Sequence, residues 1–362
     1  MIHYYIHGRG RGHATRSLVV IRTLRAAGHA VRIFAGEDAQ PVFPGDHTPV
    51  LSLPKGLGPR VPGLLVRRVQ AAGAALLEDR PQLIVSDGDL PPMIAGRGRV
   101  PTLALGHGLV FSHCRRPDGA PRGPWLREAL KARLASFGAS HCVAVNFAQL
   151  SPHRPARTTI ARPALPADGA PAVSPSAEVV RLAAQRPVLC YFRDDNGEAV
   201  VRAAVESEVP VVLFGRNQRG RVPGVMELPF SADDFRYLLS NARAVLSSAG
   251  SQLMSECLFH GIPQLALYRA ADDEQRLNAY MLRSVASCSR GQEIASCTTA
   301  DVVDFIAGLP QTRPTRPEGM PVLPVDAVIL KLVEAIVADE RAALRDAHMA
   351  KRDARQGRRR RS

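Results

Sequence analysis

The chain has 362 residues, 46% of them hydrophobic and 22% charged, a globular composition with enough length for two separate cores. No apolar run reaches the roughly 18 residues of a membrane-spanning helix, and no secretory leader precedes the first strand-like run, so the expected setting is the cytoplasm. The six cysteines are scattered without paired spacing, which argues against a disulfide framework or a zinc site, and the net charge of +14 favours anionic partners.

Residues 2–6 form a short β-rich run, followed by the loop His7–Arg16, an amphipathic helix over 17–27 and a second strand over 30–35. This βαβ opening with a glycine-rich turn brings the dinucleotide fingerprint to mind, with Glu37 near the place of its ribose acid. The fingerprint fails, because Gly8 and Gly10 are present but His13 stands where the third glycine belongs. Residues 41–69 mix prolines, glycines and apolar residues with Lys55, Arg60, Arg67 and Arg68. A strand over 50–53 is expected there, then a mobile loop leading into a helix. Two readings stay open for it: a contact for a lipid-linked or anionic ligand or an anionic membrane surface, and a plain cover over the first core.

Residues 82–86 give a strand ending in Asp87-Gly88-Asp89, and strand C-termini in open α/β sheets are where ligands bind. The strand over 102–105 runs into Gly106-His107-Gly108, so His107 is a candidate to face the same cleft. The strand over 141–145 closes the first half. Residues 163–186, rich in Pro and Ala, read as an interdomain linker. Beyond it the alternation restarts with strands over 188–192, 211–214, 244–247 and 264–267. Arg193, at the end of the first of these, is placed to meet phosphate.

The most informative stretch is 244–279. A buried strand leads to the small-residue turn Ser248-Ala249-Gly250-Ser251 and then to an amphipathic helix carrying Leu253, Met254, Cys257 and Leu258. Strand, turn and helix N-terminus in that order present free backbone N–H groups and a favourable dipole to an anion, here at Gly250, Ser251 and Gln252. Glu256 lies a turn and a half further on, suited to sugar hydroxyls. A second strand then leads to Asp272-Asp273-Glu274-Gln275. Phosphate donors followed by two sets of hydroxyl acceptors suit a nucleotide-sugar.

The residues Gly250, Glu256, Gly261, Pro263, Glu274, Gln275, Asn278 and Ala279 form a pattern that resembles the donor half of two-Rossmann (GT-B) glycosyltransferases. Among these are the N-acetylglucosaminyltransferase of lipid-linked muramyl pentapeptide and the glycosyltransferases of plant and antibiotic glucosides. The resemblance implies that the turn after Gly250 binds diphosphate, Glu256 binds ribose, and Glu274 with Gln275 holds the hexose. Leu253 departs from the Ser or Thr usual in the family, and Ser248 from its His or Arg, which leaves more of the diphosphate contact to backbone N–H groups. Residues 226–231 lie where relatives hold the base, with Phe230 packing on it and the backbone of Ser231 reading its edge.

The N-terminal loop fits the same resemblance, with Gly10, Gly12 and His13 matching a G-x-G-H segment on the acceptor side. The resemblance implies that His13 is the base taking the acceptor hydroxyl's proton, a task suited to a neutral imidazole. It implies likewise that Asp87 orients that ring; Asp89 is the runner-up, and His7 is read as structural.

The expected architecture is α/β, two Rossmann-like domains facing across a cleft. Residues 1–162 form the acceptor-side domain, 163–186 the linker and 187–312 the nucleotide-sugar domain. A helix within 313–350 crosses back to the first domain. Residues 351–362 hold seven positive charges and one negative and read as a disordered tail, leaving +8 for the rest. The expected activity is metal-independent, inverting transfer of a sugar from a donor, UDP-linked on resemblance, to an acceptor that the loops do not identify. No cofactor, no metal and no specific nucleic acid is expected. A nucleotide-sugar 2-epimerase of the same fold and a nucleic-acid binder using the basic tail are the alternatives.

Overall fold

The computed structural model describes residues 1–8, 11–54, 59–165, 175–192, 197–215, 222–229 and 231–339. The first sheet is built from β1 (Ile2–Ile6), β2 (Val31–Ala35), β3 (Thr48–Pro49), β4 (Leu83–Asp87), β5 (Thr102–Gly106), β6 (His141–Val145) and β7 (Thr158–Ala161). Their order is β3-β2-β1-β4-β5-β6-β7, and every pairing is parallel. The second contains β8 (Val188–Tyr191), β9 (Val211–Phe214), β10 (Val225–Leu228), β11 (Ala244–Ser248), β12 (Gln264–Tyr268) and β13 (Arg290–Glu293). It is parallel too, in the order β10-β9-β8-β11-β12-β13. Central strands such as Leu83–Asp87 are buried at every position, as expected for strands covered on both faces.

Both orders run outward from a first strand, reverse, and run outward again. The reversal falls between β1 and β4 in one sheet and between β8 and β11 in the other. At such a reversal the loops leave in opposite directions and open a crevice at the strand C-termini. The segments singled out in sequence, after Ile6, Asp87 and Ser248, all leave the sheets at these two points.

The helices relevant to the site are α1 (Arg11–Ala26), α2 (Val61–Asp79), α3 (Leu90–Gly96), α4 (Leu109–His113) and α5 (Arg122–Ala135) in the first half. In the second they are α6 (Ala177–Ala184), α7 (Glu198–Val205), α8 (Ala232–Asn241), α9 (Ser251–Phe259), α10 (Asp273–Val285) and α11 (Thr299–Ala307). Residues 325–339 are helical as well, and their Val325, Ile329 and Val333 lie in the core of the first sheet with Ile6, Leu83 and Val145. Another cluster joins the two halves: Met93, Phe111 and Trp125 pack together with Met254, Leu277 and Met281. Among the described residues no helix is long and apolar enough to cross a membrane.

Several expectations need correction. The helix after β1 begins at Arg11 rather than 17, so His13 sits in a first helical turn instead of a loop. The strand expected over 50–53 is a two-residue edge strand at Thr48–Pro49. Part of the 163–186 linker is α6, capped by the Ser176 side chain, with Val179, Leu182 and Ala183 in the second domain's core. Arg68 is no surface cation: it is buried and paired with Asp89. Gly10, Arg193, Phe230, Lys55 and the tail 351–362 lie outside the described residues.

Candidate active site

At the first reversal point β4 ends in Asp87, fully buried, and α1 starts opposite it. His13 Nδ1 lies 2.7 Å from Asp87 Oδ1. Arg16, one turn along the same helix face, donates from Nε to Oδ2 at 3.0 Å and from Nη2 to Oδ1. Ser17 Oγ donates to Oδ2, also at 3.0 Å. A carboxylate only accepts, so this contact fits the tautomer with the proton on Nδ1, which in a neutral ring leaves the lone pair on Nε2. The His13 side chain is 31% exposed, and among the described residues Nε2 has no partner.

Burial alone would raise the Asp87 carboxyl, but the Arg16 guanidinium and His13 outweigh it and hold the group well below the usual carboxylate range. Burial likewise opposes the charge on Arg16. Asp87 overcomes that, helped at longer range by Glu274 from the second domain, which places Glu274 within electrostatic reach across the cleft. Arg16 and Ser17 were not found from sequence. The signal existed, since both follow His13 by three and four residues, but it needed a helix that starts before His13.

Two glycine positions shape this corner. Gly8 meets Gly36 backbone to backbone, and a Cβ on either would overlap the other. Gly88 has φ +76°, and a Cβ there would sit 3.1 Å from His13 Cε1. The backbone after Asp87 therefore takes a left-handed turn that only glycine adopts freely, directly beneath the imidazole. Gly12 has open space where a side chain would stand, so packing does not demand glycine there. Asp89, two residues past Asp87, pairs with Arg68 instead of His13. The backbone N–H of His7 bonds Asp87 O at 3.0 Å, and its ring packs edge-on to His13.

At the second reversal point Gly250 is the N-cap of α9. The helix's first bond is Met254 N to Gly250 O, which leaves the N–H groups of Ser251, Gln252 and Leu253 ahead of it. Asn278 of α10 steadies the turn, donating from Nδ2 to Ala249 O at 3.0 Å. The Leu253 side chain faces the core and adds nothing polar. Glu256 accepts from Gln252 Nε2 at 2.8 Å, one turn apart. Burial pushes the Glu256 carboxyl up, against the opposing effect of that bond.

At the start of α10, Asp272 caps the helix by accepting from Gln275 N. Asp273 is held by Arg127 at 2.6 and 2.7 Å, while Glu274 is exposed and Gln275 half-buried. Ser231 caps α8, its side chain accepting from Asp234 N and its carbonyl from Phe235 N. His107 is placed elsewhere than expected. It is buried between the domains, with Nδ1 2.9 Å from Val145 O and Nε2 2.8 Å from Asn278 Oδ1, so it links the first domain to the turn at Ala249 and does not face open cleft. Among the described residues no group of three His, Cys, Asp or Glu side chains is arranged to hold a metal ion.

The solved glycosyltransferase of kitacinnamycin superposes with a TM-score of 0.63 at 17% identity, covering 97% of this chain and 98% of that one. MurG of Acinetobacter baumannii gives 0.60 at 14% identity, covering 92% and 99%. VinC, a glycosyltransferase in complex with dTDP, gives 0.59 at 18% identity, covering 85% and 92%. At these identities the likeness is one of fold, the two-Rossmann GT-B arrangement. No curated protein sequence matches the chain. The family model described as glycosyl transferase family 1 matches residues 125–310, just over half of the sequence, and the chain belongs to that family of glycosyltransferases.

Proposed function

We propose that the protein transfers a hexose from a UDP-sugar to an acceptor hydroxyl in one inverting displacement, without a metal ion. The observation that carries this reading is the His13–Asp87 contact at one reversal point, with the α9 N-terminus at the other. In this reading Nε2 of His13 takes the acceptor's proton as its oxygen attacks the anomeric carbon. Asp87, anionic and pinned by Arg16 and Ser17, fixes the tautomer and stabilises the imidazolium that forms.

The departing diphosphate rests on the N–H groups of Ser251 and Gln252 and on the helix dipole, a preorganised set of donors that replaces a metal's charge. Glu256 accepts from the ribose, and Glu274 with Gln275 holds the hexose. The base and the diphosphate site belong to opposite domains, which supports a displacement in which attack and departure take opposite faces of the sugar, as inversion requires.

Calorimetry with UDP, dTDP and GDP and their sugars tests the donor, and turnover in EDTA with the product's anomeric configuration tests the chemistry. Binding of one nucleotide family, undiminished turnover in EDTA and an inverted product are expected. Retention at the anomeric centre, or conversion of the donor to its epimer with no acceptor present, would overturn the reading.

A further inference from the structure

Helix α5 buries a carboxylate and exposes its leucines. Pro124, Trp125, Glu128 and Ala132 face inward, while Leu126, Leu130 and Leu134 are 68%, 63% and 51% exposed. Spaced four residues apart, the three leucines form a line about 12 Å long on the outer face. Just past the helix end Phe137 is 43% exposed. At 3.6 residues per turn Arg122 and Arg133 border the line on one side; on the other stand Arg127 and Lys131, which are paired with Asp273 and Glu128. The only acid of the helix, Glu128, is buried and accepts from Lys131, so the outer face carries no carboxylate of its own.

The apolar line leads onto more positive charge. The Arg97 guanidinium sits over the Phe137 ring at 4.8 Å, and Arg97 and Arg99 line a shallow hollow with Val69, Gly73 and Ile94. An apolar strip with basic borders and a basic hollow at its end is the arrangement of a helix lying in the headgroup plane of an anionic bilayer. A second copy fits the same face poorly, because a two-fold contact would set the basic borders against themselves.

We propose that this face docks the protein on an anionic lipid surface, with Leu126, Leu130, Leu134 and Phe137 entering the acyl boundary and Arg97, Arg99, Arg122 and Arg133 meeting lipid phosphates. The proposal is independent of the donor chemistry above. It is tested by flotation of the full chain with vesicles of equal parts phosphatidylcholine and phosphatidylglycerol, against vesicles of phosphatidylcholine alone.

The wild type is expected to float with the anionic vesicles only. The triple variant Leu126→Ser, Leu130→Ser, Leu134→Ser should bind at least about thirtyfold more weakly, from the loss of three partly inserted leucines. The pair Arg97→Glu, Arg99→Glu should cost about tenfold or more. All three proteins keep residues 351–362, so a loss cannot be charged to the basic tail, and far-UV dichroism checks that they fold. Flotation of the triple variant equal to wild type overturns the proposal. So does equal binding to the neutral vesicles, or a wild-type dimer in solution that the triple variant dissolves.

Discussion

Asp87→Asn is the substitution that separates the proposed role of this residue from mere packing. The native carboxylate accepts from His13, from Arg16 twice and from Ser17. The amide has one accepting oxygen and no charge. If that oxygen keeps Arg16 and Ser17, the NH2 group faces His13 Nδ1 and the ring must accept there. The proton then moves to Nε2, where the acceptor hydroxyl needs a lone pair. A wrong tautomer and an unsupported imidazolium together predict a fall in kcat/KM of about 10³–10⁴, the scale seen when an orienting acid is lost from a triad.

The same change leaves the buried Arg16 without its counter-ion, which costs roughly 3–5 kcal/mol of stability. The two effects are told apart by measuring turnover well below the melting temperature of the variant. The sign with pH follows from the depressed carboxyl. Its contribution is present above the unfolded-state value near 3.9 and is lost as pH falls toward the folded-state value. Wild type should therefore lose stability on acidification more steeply than Asp87→Asn. His13→Ala and the double variant should be about as impaired as Asp87→Asn alone, since the two residues act as a unit. A folded Asp87→Asn protein within about tenfold of wild-type kcat/KM would refute the orienting role, that being less than general-base assistance is worth.

The other predictions concern neighbouring groups. Glu256→Ala should weaken donor binding by about 1.5–3 kcal/mol in calorimetry, the worth of hydrogen bonds to a charged group. Because burial raises the Glu256 carboxyl, the native residue loses stability as pH climbs from the unfolded-state value near 4.3 through the folded-state value. Glu256→Gln should thus melt higher than wild type at neutral pH and converge with it near pH 4. Gly88→Ala forces a side chain into a left-handed turn against His13, and a cost of roughly 1–2 kcal/mol is expected by urea titration, with kcat falling as the ring shifts. Asn278→Ala removes the link from His107 to Ala249 O and leaves buried groups unpaired, for about 1–3 kcal/mol of stability and a raised donor KM.

What could be read from sequence divides along a physical line. The central strands are continuous apolar runs because both faces are covered, and β1, β4, β6, β8 and β11 were all located from that pattern. The edge strands escaped: β10 and β13 are short and mixed, VMEL and RGQE, and an edge carries little periodic signal. The small-residue turn at Gly250 was legible because strand, turn and helix N-terminus are consecutive. The pairing of His13 with Asp87 came from resemblance alone, since 74 residues separate them. The His107–Asn278 link stayed hidden for the same reason, as its partners come together only when the domains assemble, whereas Arg16 and Ser17 needed only a helix that starts before His13. Gly12 shows the opposite failure, a motif glycine for which local packing gives no cause.

The buried Arg16 makes sense once the charges are taken together. A lone carboxylate at Asp87, fully enclosed, would protonate or shift, and a neutral acid cannot hold the imidazolium. Arg16 keeps it ionised, yet a guanidinium whose Nη2 lies 3.2 Å from His13 Nδ1 also opposes a positive ring. Those demands are reconciled if a second negative group arrives with the closed cleft, and Glu274 is already within electrostatic reach of Arg16. Glu274→Gln should then do more than loosen the hexose. It should lower kcat at saturating donor and move the acidic limb of the pH profile of kcat, the limb that a general base sets. Glu256, which Arg16 does not face, should affect KM alone. If Glu274→Gln raises donor KM and leaves the kcat profile unmoved, the charge balance at the base is complete within the first domain, and Glu274 serves the sugar only.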